Sequence, residues 1–412
     1  MLSQFTVKNF KSIRDEITLD MQTAAITDHP NHVIKDVDGQ DFLPIAVIYG
    51  PNGGGKSNVL EALRTLNTIV LRSILAARQN NASDYKLSTF PVSPFRFSAA
   101  TKEAPTEFEL YFRTKRAEYR YILSIKGETI LHEKLDRVKF ETNRKSALFE
   151  RYVNEIQLTG DFKSLRISQD LSETLPLLSY LGIMYLNNET VLDIIQWFVD
   201  GIDFINYGNP LVEIKTAVAS SGEIRDLVLD MIKEMDLDIE DFRTEKNEND
   251  SIKVYTSHFV DGIRTELELK EESSGTRKLF GMLPFIAKSL LYGNTLIIDE
   301  LDAKIHPVLL QYIISLFTNP ETNRFGAQLI FTSHDLSTMN HENFRRDEIW
   351  FVAKGNSQNS KLYSLVEFKS PNGGTIRKDV KFDKQYLEGK FGADPYLKRI
   401  INWSEYNAEK EQ

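Results

Sequence analysis

The chain opens on alternation. Phe5 and Val7 alternate with Gln4, Thr6 and Lys8, and Ile17, Leu19 and Met21 keep the same period of two, which predicts strands that turn one face toward a core. A polar stretch around His29, Pro30 and Asn31 predicts a loop. Leu43-Pro44-Ile45-Ala46-Val47-Ile48-Tyr49 is then continuously apolar, as expected of a strand buried on both faces. It runs straight into Gly50-Pro51-Asn52-Gly53-Gly54-Gly55-Lys56-Ser57, followed by Val59, Leu60, Leu63 and Leu66 at helical spacing. From about Phe90 to Phe149 the strand pattern returns, in Phe108 to Phe112, Tyr119 to Ile125 and Ile130 to Phe140. From about Leu158 to Glu245 the pattern reads as mostly helical, with Val191, Ile194, Ile195 and Phe198 on one face. Lys253 to Phe259 and Ile263 to Leu269 flank Asp261-Gly262, a pair suited to a type I′ hairpin turn.

The last third alternates between the two periods. A helix after Gly275 aligns Leu279, Met282, Leu283 and Ile286, and Thr295 to Ile298 predicts a short buried strand. Pro307 to Phe317 predicts a helix, and Gln328 to Thr332 and Ile349 to Val352 two further strands. Strand–helix alternation of this kind predicts an α/β fold with a parallel sheet.

Composition narrows the class. At ~150 residues per domain, 412 residues make about two or three folding units. The balance of 41% hydrophobic and 26% charged residues is that of a globular chain. With no cysteine there are no disulfides, no iron–sulfur clusters and no cysteine-built zinc sites. A net charge of −9 argues against a general nucleic-acid coat and leaves a local basic strip, and so DNA contact, open. The longest nearly apolar run, Leu177 to Leu186, is about half a bilayer span, so no membrane partner is expected. Lys8, Lys11, Arg14 and Asp15 interrupt the first residues, so no secretory signal is expected and a cytoplasmic location is.

Candidate chemistry follows from the junctions. Gly50 and Gly55 free the backbone so that successive N–H groups point at phosphate oxygens, with Lys56 for the β- and γ-phosphates and the Ser57 hydroxyl for Mg²⁺. The strand before and the helix after supply the context such a loop needs. Leu296-Ile297-Ile298-Asp299-Glu300 is an apolar strand ending in two carboxylates: Asp299 to hold Mg²⁺, Glu300 to act as general base on water. Glu272-Ser273-Ser274-Gly275-Thr276 opens a helix; alone it reads as an N-cap, and in this order of elements as a second anion site. Ile330-Phe331-Thr332-Ser333-His334 ends a strand in an imidazole able to reach a γ-phosphate or the attacking water. The mixed basic and aromatic stretch Arg113-Thr114-Lys115-Arg116 with Tyr119, Arg120 and Tyr121 is read as a solvated hairpin tip, and the Trp350-Phe351 pair as core.

This order of phosphate loop, helix start, Asp-Glu strand and strand-end His resembles the ABC-type ATPases. Asn58 after Lys56-Ser57 and the opening Phe5-Thr6-Val7-Lys8-Asn9-Phe10-Lys11-Ser12 resemble the SMC and RecF branch. More narrowly, the chain resembles the OLD-related AAA-type ATPases of bacterial phage-defence operons, a group that includes the RloA, AbiL-type and PARIS AriA proteins. The stretches that carry this are Pro94-Phe95-Arg96-Phe97, Asp299-Glu300-Leu301-Asp302 with His306-Pro307, Arg346-Asp347-Glu348-Ile349-Trp350-Phe351-Val352, and Tyr386 through Asp394-Pro395.

The resemblance implies an ABC-type P-loop ATPase head with an antiparallel β subdomain and an inserted helical lobe. The expected divisions are 1–157, carrying the loop and β subdomain; 158–250, the helical lobe; and 251–412, carrying the signature, the Asp-Glu strand and His334. It implies ATP and Mg²⁺ as cofactors, with Gly50, Pro51, Asn52, Gly53, Gly54, Gly55, Lys56, Ser57 and Asn58 at the nucleotide. Lys11 is either a further phosphate contact or a solvated lysine. Ser57 and Asp299 would hold the metal, and Glu300, His334 and Lys56 would be catalytic. Ser273, Ser274 and Gly275 would act in trans on a second protomer's nucleotide, with Asp302 in the interface loop of a head-to-tail homodimer or higher homo-oligomer. It further implies a sensor of a phage-encoded trigger that commands a nuclease or toxin on another polypeptide, since no room remains for a Toprim domain. The alternatives are a RecF-like DNA-repair ATPase and a non-hydrolysing ATP-dependent scaffold. The sequence departs from the pattern at Glu272, where transporters carry an apolar residue, and at Ser274, which replaces a glycine.

Overall fold

The computed structural model describes residues 1–78, 92–168, 171–205, 222–235, 237–246, 252–355, 357–368 and 380–393. The order is β1 (Leu2–Lys8), β2 (Ile17–Asp20), β3 (Ile34–Lys35), β4 (Asp41–Phe42), β5 (Ile45–Tyr49), α1 (Lys56–Arg78) and a short α2 (Ala99–Lys102). Then come β6 (Thr106–Arg113), β7 (Ala117–Lys126), β8 (Thr129–Lys139), β9 (Arg144–Tyr152), β10 (Glu155–Leu158), α3 (Leu177–Met184), α4 (Glu189–Asp200), β11 (Ile202–Ile205) and α5 (Gly222–Glu234). The rest is β12 (Asp241–Lys246), β13 (Ile252–Val260), β14 (Ile263–Glu268), α6 (Ser274–Tyr292), β15 (Thr295–Ile298), α7 (Pro307–Thr318), β16 (Gln328–Thr332), β17 (Ile349–Lys354), β18 (Ser360–Ser364) and α8 (Phe382–Leu387).

These elements form a mixed α/β P-loop architecture. Its central sheet runs β11-β15-β16-β5-β17-β18, parallel throughout except for the antiparallel edge strand β18. Successive residues of a strand point to opposite faces, so the apolar run of β5 splits between two cores. Ala46 and Ile48 join one, with α1, α3, α4 and the antiparallel sheet, while Ile45, Val47 and Tyr49 join the other, with α5, α6 and α7. That double burial is why β5 is apolar at every position and why Leu296–Ile298 of β15 and Leu329–Phe331 of β16 are apolar throughout. Trp350 and Phe351 are core, as the sequence predicts.

The antiparallel sheet, β10-β9-β8-β7-β6-β1-β2, covers the first core. One buried amide stitches it to the central sheet. Gln328 Oε1 accepts from the Leu2 N–H (2.7 Å) and from Thr295 Oγ1 (3.0 Å), and its Nε2 donates to the Leu2 and Leu43 carbonyls (3.0 and 3.2 Å). The third sheet, β12-β13-β14, contains the expected hairpin: Val260 pairs with Ile263 across Asp261-Gly262, both at positive φ (54° and 81°), the I′ signature.

Two sequence readings differ from the structure. The mostly helical stretch also holds strands, since β11 joins the edge of the central sheet and β12 opens the small sheet. A four-residue strand packed on one neighbour has no room to show a period. Arg113 is not part of a solvated tip: it is buried between Asp36, Asp38 and Glu118 (2.8, 2.8 and 2.7 Å).

Candidate functional site

The carboxyl ends of β5, β15 and β16 lie side by side, and the glycine loop, the Asp299-Glu300 pair and His334 fall there, whereas the Ser273 turn opens α6 after β14. Ligands of open parallel sheets collect along that edge because each strand hands over to a loop and a helix start. The loop from Gly50 to Gly55 connects β5 to α1. At Gly50 a Cβ would strike the Val352 carbonyl oxygen, so the backbone passes only without a side chain. Gly55 has φ +109°, and a Cβ there would run into the Ser360 and Ser12 hydroxyls. Those two serines form a clamp behind the loop. Ser360 Oγ donates to the Gly54 carbonyl (2.6 Å) and accepts from Ser12 Oγ (2.8 Å), which in turn accepts from Asn58 Nδ2 (2.6 Å). Asn58 is thus engaged with the turn after β1 rather than directed outward.

Lys56 is buried and folds back on its own loop, donating to the carbonyls of Gly50 (2.9 Å) and Pro51 (3.4 Å). Burial lowers its pKa, while the charges of Asp299, Glu300 and Asp302 oppose that shift. The same three carboxylates thus act on the lysine through space, while its direct partners are carbonyls. Pro51 is half-buried; Asn52, Gly53 and Ser57 are exposed at the mouth of the loop. Lys11 sits at φ 49° and forms an ion pair with Glu61 of α1, over the Phe10 ring. Its ammonium is committed to that carboxylate.

Asp299 and Glu300 follow β15 directly. Thr332, the last residue of β16, joins them: its hydroxyl donates to Asp299 Oδ1 (2.6 Å) and accepts the Glu300 N–H (2.7 Å). Glu300 is exposed and has φ +50°, a conformation that costs a non-glycine residue about 1–3 kcal/mol and persists only where its surroundings impose it. Asp302 accepts the His334 N–H (3.1 Å), while its other carboxylate oxygen is buried with no hydrogen-bond partner among the described residues. The His334 side chain is exposed.

Ser57 and Asp299 line one cavity of about 310 Å³, together with Glu61, Arg64 and Thr65. A hydroxyl and a carboxylate facing shared space suit Mg²⁺, which keeps waters and phosphate oxygens in its shell and needs few protein ligands. Among the described residues there is no group of three or more His, Cys, Asp or Glu side chains that could hold a metal by themselves. Phe204 and Ile205, the end of β11, close the cavity's far wall.

Ser273 caps α6, its hydroxyl accepting the Thr276 N–H (3.1 Å). Ser273 and Ser274 are exposed, and Gly275 lies against the Lys304 carbonyl, 3.1 Å from where a Cβ would stand. Glu272, the departure from the transporter pattern, points back into the small sheet and binds Thr256 Oγ1 (2.5 Å) and His258 Nε2 (2.8 Å). Within this chain the turn and Lys56 belong to different loops, and no contact between them is described. Two stretches quoted for the resemblance prove to be anchors: Asn9 Oδ1 takes the Phe95 N–H (2.9 Å), and Arg346 pairs with Asp28 (2.7 Å). Of the Tyr386 stretch, Asp394 and Pro395 lie outside the described residues.

Sequence reasoning missed Ser12, Ser360, Thr332 and Lys278. Lys278 of α6 is buried and donates to the carbonyls of Glu300 (3.1 Å), Leu301 (2.9 Å) and Ala303. Burial lowers its pKa to about 7. A lysine interrupting the apolar face of Leu279, Met282 and Leu283 was the one available signal.

Comparison with known proteins identifies the family. A family model described as "AAA domain, putative AbiEii toxin, Type IV TA system" matches residues 45–340, from β5 past His334. No curated protein matches the chain. Among solved structures the fold is similar to the Smc head bound to the C-terminal winged-helix domain of ScpA, at TM-score 0.47 and 13% identity, covering 88% of this chain and 97% of that one. It is also similar to the SMC head domain from Thermotoga maritima, at TM-score 0.41 and 14% identity, covering 88% and 98%. These are distant likenesses of fold, and the site stands without them. No helix among the described residues is long and apolar enough to cross a membrane. With its loop, strand ends and strand-end histidine inside the matched span, the chain belongs to the AAA-domain family described as putative AbiEii toxin, Type IV TA system, a family that implies nucleotide binding.

Proposed function

We propose that the chain is a Mg-ATP hydrolase that assembles head to tail as a nucleotide-dependent homodimer or higher homo-oligomer. In this reading it is the sensing subunit of a bacterial anti-phage system and controls a separately encoded nuclease or toxin. The observation that carries the enzymatic part is the convergence of Lys56, Asp299, Glu300, Asp302 and His334 at one sheet edge, beside the start of α1.

In this reading the amides of Gly50 to Asn58 cradle the phosphates, and Lys56 exchanges two backbone carbonyls for phosphate oxygens. Ser57 and Asp299 hold Mg²⁺. Bound Mg²⁺ neutralises charge on the β- and γ-phosphates. Glu300 takes the proton of the attacking water, and His334 orients that water or the γ-phosphate. Ser273, Ser274 and Gly275 present a capped helix start to the partner's nucleotide, and Asp302, with one oxygen lacking a donor, belongs to the interface loop. We read 1–157 and 251–412 as two parts of one ATPase unit and 158–250 as its insertion. The defence role is supported by the OLD-related resemblance and by a family description that names a toxin–antitoxin system. The trigger is then a phage product.

Phosphate release from the purified chain, with sizing in a non-cleavable ATP analogue, tests this. Glu300→Gln is expected to lower kcat by about a thousandfold while trapping ATP in a species larger than one chain. Unchanged hydrolysis in Glu300→Gln would remove its assigned role; a monomer under every nucleotide would remove the trans assembly. Salt-sensitive DNA binding by the dimer would shift the reading to DNA repair.

A further inference from the structure

Glu300 is gripped on both sides of its Cα. Its N–H is held by Thr332 Oγ1 (2.7 Å), and its carbonyl accepts from Lys278 Nζ (3.1 Å). Because the residue sits at φ +50°, a conformation it would not choose alone, these two grips determine where its carboxylate projects. An ammonium has three donors. The protonated Lys278 reaches three carbonyls of a single loop, those of Glu300, Leu301 and Ala303. Lys278 is 3% exposed and stands one turn into α6, the helix whose first turn is the exposed Ser273–Gly275. A second tie runs in parallel, because Gly275 abuts the Lys304 carbonyl of the same loop.

We infer that Lys278 is a positioning residue that fixes the backbone of Glu300 from within α6, so that the Ser273–Gly275 turn and the general base of one chain move as a unit. The inference rests on the ATPase reading above. Under that reading, a nucleotide engaged by the turn of α6 in trans shifts α6 and thereby aligns Glu300 in cis. Each chain's catalytic carboxylate then reports whether its own helix start is occupied. Because Lys278 acts on the backbone of Glu300, its effect falls on kcat and not on nucleotide affinity.

The test uses the full chain. Lys278→Met and Lys278→Cys are expected to lower kcat by about a hundredfold, the cost of a misplaced catalytic group. KM and the affinity for a fluorescent ATP analogue should stay within about threefold. The chain has no cysteine, so 2-bromoethylamine applied to unfolded Lys278→Cys alkylates that thiol alone and, after refolding, restores an ammonium of equal reach. Recovery of kcat by about tenfold or more is expected. Should Lys278→Met fail to fold, the comparison of Lys278→Cys before and after alkylation carries the test. Wild-type rates in the unalkylated variants, ATP affinity falling in step with kcat, or alkylated protein no faster than unalkylated would each overturn the inference. A wild-type chain that releases no phosphate removes the ATPase reading and this inference with it, whereas a hydrolysing wild type with unaffected variants removes the inference alone.

Discussion

Two regions of this molecule bury cations, and they do so in opposite ways. In the antiparallel sheet, Arg113 is enclosed by Asp36, Asp38 and Glu118, and these carboxylates push its pKa up. At the edge of the central sheet, Lys56 and Lys278 rest on main-chain carbonyls, and burial pushes both pKa values down. A carbonyl satisfies a donor without cancelling its charge. The first region is electrostatically closed and holds the fold together. In the second, Lys56 keeps its charge available for an anion and Lys278 commits its donors to backbone, both at a cost in stability that the surrounding core must offset.

That contrast can be broken by experiment. Lys56→Ala should lower phosphate release by about a thousandfold, as loss of a pre-placed charge at a phosphoryl site does, with the thermal midpoint unchanged or raised. A matching fall in stability would mean Lys56 is structural. Arg113→Met should do the reverse: unfolding free energy from urea titration should fall by about 3 kcal/mol, because three carboxylates lose their partner, while ATP affinity holds.

Lys278 sharpens the comparison through pH. Burial takes its pKa to about 7 from an ordinary 10.5, with Asp302 and Glu300 opposing the shift and Lys304 adding to it. Between those values the unfolded chain binds the additional proton, so stability should rise with pH, by at most about 1.4 kcal/mol per unit. Wild type should therefore gain on Lys278→Met in urea midpoints from pH 7 to 9, while the three-carbonyl grip weakens as the ammonium becomes an amine with two donors; a constant difference would show that the lysine stays charged. The smallest effect belongs to Ser273→Ala, about 1 kcal/mol of stability from the lost cap, measured on the chain without nucleotide.

Much of this was legible along the chain, and what was hidden shares a cause. The run Ile45 to Tyr49, the loop to Ser57 and the strand ending in Asp299-Glu300 are contiguous, so local pattern reveals them. The Asp261-Gly262 hairpin is legible for the same reason. Ser12 and Ser360 meet across the length of the chain, and Lys278 finds Glu300 only when α6 packs on β15. Polar residues that serve a distant backbone atom have no period and no motif. Arg113 misled because a basic residue among basic neighbours reads as solvated until its three acids, two of them far upstream, are in place. The strand β11 lay hidden in a helical stretch because four residues, three of them apolar, fit either period.

The position of β5 has a consequence for synthesis. Its two neighbours in the sheet, β16 and β17, are translated about 300 residues after it. At ribosomal speeds of about 5–20 residues per second, the strand and its glycine loop emerge roughly fifteen to sixty seconds before either flank exists. A nascent chain interrupted before β16 would lack both flanks and the serine clamp, and one interrupted short of Ser360 would still lack the clamp. Competence to take up a triphosphate would thus certify that translation had passed that point, keeping unfinished copies out of any assembly.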